Sequence, residues 1–123
     1  DDRRVRVCKC LQLKDALVGT GFPFKEMTRL DLYLKQLRHL MQNSSGVRRA
    51  GAAALDLAYV AAGRMDAFWE LGLAPWDMAA GALMIQEAGG LVGDLSGDAN
   101  YLESGDIAAA TPKVFPQLLA ALR

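Results

Sequence analysis

The chain is poor in the residues that build metal clusters and disulfide frameworks: it has one histidine, His39, and two cysteines, Cys8 and Cys10. Two cysteines one residue apart cannot staple a fold, and they fit a reducing compartment. A soft-ligand metal site would need two further ligands, and His39 is distant in sequence. An excess of charge of either sign is also missing. Fourteen basic residues balance 14 acidic ones, so bulk attraction to nucleic acid or to an anionic membrane is not expected. No apolar run reaches the ~20 residues that cross a bilayer, and no repeat or low-complexity tract occurs. No secretory leader is read at the N-terminus, although a chain that opens on Asp1 is compatible with one having been removed. What is present, 123 residues with a hydrophobic fraction of 52%, is the composition of one globular domain with its own core, expected to be cytoplasmic.

The stretch from Trp76 to Gly90 organises the rest. Its apolar residues at 76, 79, 80, 83, 84 and 88 have helical spacing. Pro75 precedes it, where a missing N–H costs nothing, and Gly89 and Gly90 close it. Gly81 lies inside this helix at a cost of about 1 kcal/mol relative to Ala, which predicts close approach of another backbone. Asp77 falls in the first turn, where exposed N–H groups favour an anion. Taken locally, Asp77 is either a first-turn acid that caps the helix or a metal ligand held on a rigid element.

Along the chain, Val5 to Cys10 alternates apolar and basic residues and predicts a short, half-exposed strand. Its basic residues suggest a solvated edge more than a nucleic-acid patch. Residues 16–22 predict a buried strand ended by Pro23. Lys25 to Gln42 predicts an amphipathic helix with a stripe of Leu30, Tyr33, Leu34, Leu37 and Met41, leaving His39 on the surface. Residues 43–46 read as a loop. Ala52 to Ala62 is apolar nearly all round and predicts a central, buried helix closed by Gly63. Arg48 and Arg49 stand just ahead of it. They either help a helix N-terminus receive an anion or polyol, or form ordinary salt bridges to Asp56 or to a partner subunit. Strands are predicted at 65–71, 91–95 and 106–110, and a last helix at 112–122 with Val114, Leu118 and Leu119 inward. Asp94 to Gly105 is not a calcium loop, because its sixth and twelfth positions are Ala99 and Gly105. Alternating strands and helices define an α/β fold with a mostly parallel or mixed sheet. A strand at 65–71 running into the Trp76 helix brings Glu70 and Asp77 to one crevice at the sheet's carboxyl edge.

Arg48-Arg49-Ala50-Gly51, the alanine-rich helix, Glu70, and Trp76-Asp77-x-Ala79-Ala80-Gly81 through Glu87-Ala88-Gly89-Gly90 together resemble the inositol monophosphatase family, most closely its bacterial SuhB-type branch. Gly19-Thr20-Gly21-Phe22-Pro23 adds to the likeness. The resemblance runs from about Val5 to Leu119 and covers only the C-terminal half of the family's enzyme. The N-terminal half, with its metal-binding Glu, its D-P-x-D-G-T stretch and the threonine that orients the attacking water, has no counterpart here. A layered sugar-phosphatase fold is therefore expected, with residues 1–123 as its C-terminal half.

The resemblance implies Mg²⁺-dependent hydrolysis of a phosphate monoester, inositol monophosphate being the type substrate, with inhibition by lithium. Asp77 matches a catalytic metal ligand. Glu70 matches the acid that contacts an inositol hydroxyl. Gly51, Ala52 and Ala53 match the helix start that lines the sugar site, and Arg48 a basic residue beside it. Ala52 stands where the family often has Ser or Thr, so one hydroxyl contact is lost. A homodimer is implied. So is an alternative role in complexes that transcribe ribosomal RNA, for which the basic N-terminal segment and the Lys25–Gln42 helix are candidate surfaces. A related sugar or nucleotide phosphatase is a further alternative.

Overall fold

The computed structural model describes residues 6–21, 27–49 and 51–123. Among these residues five strands and five α-helices alternate. They are β1 (Leu17–Thr20), α1 (Leu30–Asn43), β2 (Gly46–Arg48), α2 (Ala53–Ala61), β3 (Ala67–Glu70), α3 (Pro75–Glu87), β4 (Leu91–Gly93), α4 (Tyr101–Ser104), β5 (Ile107–Ala110) and α5 (Val114–Ala121). The strand order is β2-β1-β3-β5-β4. β1 pairs in parallel with both β2 and β3, while β5 runs antiparallel between β3 and β4. The sheet is therefore mixed and the fold is α/β, as the alternation of elements predicts.

Period-two alternation splits the core into two layers. Ala67 and Trp69 of β3 face one side with Ala108 and Ala110 of β5, against Tyr33 and Leu40 of α1 and Val114 and Leu118 of α5. Phe68, Ile107 and Ala109 face the other side, against Leu57 and Val60 of α2 and Met78, Ala82 and Ile85 of α3. Gly81 is the point of closest approach between α2 and α3: a Cβ there would lie 2.6 Å from Leu57 Cβ. The glycine makes room as the sequence predicts, although its neighbour is a side chain. Around Trp69 a polar chain is buried. Trp69 Nε1 donates to Gln36 Oε1 at 3.1 Å, Gln36 Nε2 donates to the Leu122 carbonyl at 3.1 Å, and Tyr33 stacks on the indole.

Several expectations are corrected. The apolar stripe of α3 is not the buried face. Met78, Gly81, Ala82 and Ile85 point inward with Ala88, while Trp76, Leu83 and Met84 are 83%, 56% and 44% exposed. A helix apolar on every side carries no unique stripe, and only the face containing Gly81 can approach Leu57. α2 is likewise one-sided: Asp56, Leu57, Val60 and Ala61 are buried but Leu55 is exposed. In α1 the inward residues are Tyr33, Gln36 and Leu40, with Leu34 and Met41 exposed, because Gln36 is recruited by Trp69 and turns the helix. Regular helix begins at Leu30 after a 3₁₀ turn, Met27–Arg29. Lys25 and Glu26 lie outside the described residues, as do Val5, Phe22 and Pro23. Residues 6–10 form no strand. The segment is irregular, with Val7 N–H donating to the Ala88 carbonyl at 3.1 Å. β2, by contrast, begins inside the expected loop and ends at Arg48.

Candidate functional site

Because β1, β2 and β3 run parallel, their carboxyl ends share one edge, where open α/β sheets gather ligands. Thr20 and Gly21 lie at the end of β1, Arg48 and Arg49 at the end of β2, and Glu70 at the end of β3. The N-termini of α2 and α3 open toward the same edge, each without a side-chain acceptor at its cap residue, Ala52 and Ala74. A cavity of about 110 Å³ sits here, lined by Gly51, Ala52, Ala53 and Asp56 from the α2 side and by Thr20, Gly21, Arg49 and Glu70 from the strand ends. Gly51 has φ +93°, a left-handed turn that carries the chain from β2 into α2. Glu70 lies flat against Gly21, where any added Cβ would overlap Glu70 Oε1. The Thr20 hydroxyl is 3.2 Å from the Tyr33 hydroxyl, and both also border a larger cavity of about 290 Å³ beside Arg48 and Arg49.

The carboxylates at this edge are unusual. Burial, and then the negative charges of Asp56 and Asp77, push Glu70 up to about 7, with Arg49 opposing. Burial pushes Asp56 up to about 6, with Arg48 opposing. Asp56 is 1% exposed, and its Oδ1 has no hydrogen-bond partner. Burial also raises the Tyr33 hydroxyl, against the hydrogen bond it shares with Thr20.

Asp77 occupies the first turn of α3. The Ala74 N–H donates to its Oδ2 at 3.3 Å. Ala74 has no side-chain acceptor to return, so this is one half of a capping box. The loop ahead of it is braced by Asp106, which accepts from the Gly72 N–H at 3.1 Å and forms a bidentate pair with Arg29 at 2.8 and 2.7 Å. The capping role of Asp77 is thus observed, and its charge reaches Glu70.

The structure brings Gly51, Ala52, Ala53 and Glu70 around one cavity. Arg48 lies outside that lining, on the adjoining larger cavity, and Asp77 outside both. Asp56 and Thr20 were not singled out from sequence as site residues, whereas Arg49, named there with Arg48 as a candidate contact for an anion or polyol, does line the cavity. The signal for Asp56 was there: it is the one charged residue in the otherwise apolar run from Ala52 to Ala62. Among the described residues, no three of His, Cys, Asp and Glu gather closely enough to hold a metal ion. His39 bonds through Nδ1 with the Ala121 carbonyl at 3.1 Å, away from this edge. Among the same residues, no helix is long and apolar enough to cross a membrane.

The fold and this edge define a mixed-sheet α/β protein whose site lies between strand ends and two helix N-termini. The chain belongs to the inositol monophosphatase family, whose sequence model matches residues 1–123. It is 56% identical to the Nus factor SuhB of Pseudomonas aeruginosa over 123 residues, covering 98% of this chain and 45% of that protein. It is 48% identical to an inositol-1-monophosphatase of Mesorhizobium japonicum, covering 100% and 46%. The crystal structure of the suppressor protein SuhB of Bartonella henselae superimposes with a TM-score of 0.93 at 46% identity, covering 100% of this chain and 48% of that one. The chain spans about half the length of the curated relatives it matches.

Proposed function

We propose that this chain is the C-terminal half of a cytoplasmic, Mg²⁺-dependent phosphatase that hydrolyses a phosphate monoester, with inositol monophosphate as the first substrate to test. The observation that carries this reading is the convergence of Glu70, the α2 N-terminus and the nearby Asp77 on the edge where parallel strands end. The donor set fits a hard cation in part. Asp77 keeps Oδ1 for an outer ligand while Oδ2 is held by Ala74, but further oxygens must come from outside the described residues. When bound, Mg²⁺ supplies charge neutralisation on the phosphate and activation of water.

This chain's own residues bind and orient. Asp77 is held by the turn that it caps and would offer its carboxylate to such an ion from that turn. The unpaired N–H groups at the start of α2, around Ala52 and Ala53, and the Arg49 guanidinium supply positive potential. Glu70, fixed against Gly21, receives a hydroxyl of the leaving alcohol. Arg48 holds the charge of Asp56 in check from outside the cavity. The reading extends to a homodimer and to inhibition by lithium. Phosphate release from inositol monophosphate by the full-length gene product, with and without Mg²⁺, tests it.

A second reading is supported by the 56% identity to a protein named a Nus factor: an interaction role in transcription complexes, with catalysis secondary. Full-length protein that captures transcription factors but releases no phosphate would favour it. A sugar or nucleotide phosphatase is separated from the first reading by the same assay run with those esters.

A further inference from the structure

Asp56 is difficult to explain as a packing residue. It stands one turn into α2, among alanines and leucines, and is 1% exposed. Its Oδ1 is a buried acceptor with no donor among the described residues, which folded proteins rarely leave in place. An alanine or leucine at this position would remove the problem. The side chain lines the 110 Å³ cavity, as Glu70 does, and the negative charge of Asp56 reaches Glu70. The space equals about three or four water volumes at roughly 30 Å³ each, enough for one edge of a small polyol.

Two carboxylates on one small cavity constrain what enters it. Ionised, both are acceptors only, so the occupant must bring donors. Arg49 and the start of α2 line the same cavity and offset part of their charge, but a phosphate group brings only acceptors and leaves both carboxylates without a donor. The edge of a ring with adjacent hydroxyls brings two O–H donors.

We propose that Asp56 is a specificity-determining residue, whose buried Oδ1 accepts a hydrogen bond from a substrate hydroxyl adjacent to the one Glu70 receives, so that the site selects phosphate esters of vicinal polyols. This rests on the phosphatase reading for its substrate, but polyol binding can be measured without turnover.

The test uses the full-length gene product as wild type, Asp56→Asn and Asp56→Ala. It reads kcat/KM on inositol 1-phosphate and on 4-nitrophenyl phosphate, the Mg²⁺ half-saturation, calorimetric binding of free myo-inositol, and the melting temperature. Asp56→Ala is expected to lose at least tenfold more kcat/KM on the inositol ester than on the aryl ester, chiefly through KM. Myo-inositol binding should weaken by a similar factor, without a fall in melting temperature. Asp56→Asn, whose amide oxygen still accepts, should fall between Asp56→Ala and wild type. Equal losses on both esters, an unaltered ratio, or a shifted Mg²⁺ requirement with an unaltered ratio would overturn the proposal while leaving the phosphatase reading in place. Absence of hydrolysis by wild type would remove that reading. The myo-inositol titration then decides: weaker binding by Asp56→Ala upholds the role of Asp56, and equal or absent binding ends it.

Discussion

At the scale of single residues, the cavity stores instability in its acids. Asp56 is held near 6 in the fold by burial, above the value near 4 that it has in an unfolded chain. Below about pH 4 it is protonated in both states and costs nothing. As pH rises toward 6 the unfolded chain ionises it first, and the folded chain is penalised, by about 3 kcal/mol once both are ionised. Glu70, raised to about 7 by burial, Asp56 and Asp77, has the same sign and extends the decline toward neutrality. Metal-free protein should therefore lose stability between about pH 4 and pH 7, and Asp56→Asn should lose less over that range. Urea midpoints at four pH values for both proteins check this; parallel curves would mean that Asp56 has a donor. Glu70→Gln keeps the side chain's shape but removes a charged acceptor, so KM and discrimination among inositol and sugar phosphates should shift more than Mg²⁺ dependence. Unchanged discrimination counts against a hydroxyl contact. Asp77→Asn should do the reverse. A neutral amide is a poorer ligand for a hard cation, so turnover should fall by orders of magnitude while the N-terminal turn of α3 persists. Wild-type Mg²⁺ dependence in that variant would leave Asp77 only the capping bond to Ala74. That Glu70 and Asp77 lie near one edge of the sheet was legible in sequence, because a strand running into a helix has one geometry. Asp56 was not, since a lone acid beside two arginines reads first as a salt bridge.

Among elements, the α2–α3 pair sets the geometry of the site, because both helix N-termini open onto it. Their contact at Gly81 and Leu57 leaves no room for a methyl group, and helix backbones cannot shift without moving Ala53 or Asp77. Gly81→Ala gains about 1 kcal/mol of helix propensity but overpacks the contact at about 1–3 kcal/mol. Gly81→Val should be clearly destabilising, by about 2 kcal/mol or more, since it adds bulk and β-branching. In combination with Leu57→Ala the two losses should be less than additive, because Leu57→Ala removes the Cγ and Cδ1 that the added side chain meets and the valine fills part of the space they leave, although the Cβ contact persists. Strict additivity in a denaturation double-mutant cycle would show that the helices are not in contact there. The elements that sequence reasoning located carry strong boundary signals: Pro75 and Gly89 around α3, Gly63 and Gly72 around β3, Pro112 ahead of α5. β2 has three residues, one a glycine and one an arginine, so neither alternation nor length marked it. Which face of α2 or α3 turns inward could not be read at all, since apolar residues lie on every side and tertiary contact makes the choice.

For the whole molecule, that ambiguity is informative. Trp76, Leu83 and Met84 of α3 and Leu55 of α2 are large, apolar and exposed. We expect this face to be covered, in a longer chain of this family, by the portion that the relatives have and this chain does not span. The same missing portion bears on the chemistry. Asp77 is one carboxylate, and Mg²⁺ stays largely hydrated unless several oxygens are fixed around it. Residues 1–123 produced alone should therefore bind Mg²⁺ no more tightly than millimolar, release no phosphate from inositol monophosphate, and self-associate as their concentration rises. Mg²⁺ titration by calorimetry, a phosphate-release assay and sedimentation measure the three outcomes separately. Trp76→Glu, which places a charge on the exposed face, should weaken self-association in the short chain. In the full-length protein the same substitution would bury that charge and lower stability. A Trp76→Glu variant without effect in either context would mean that this face is ordinary surface. Micromolar Mg²⁺ binding with turnover by the short chain would mean that its own carboxylates, Asp56 and Glu70 included, complete the metal site.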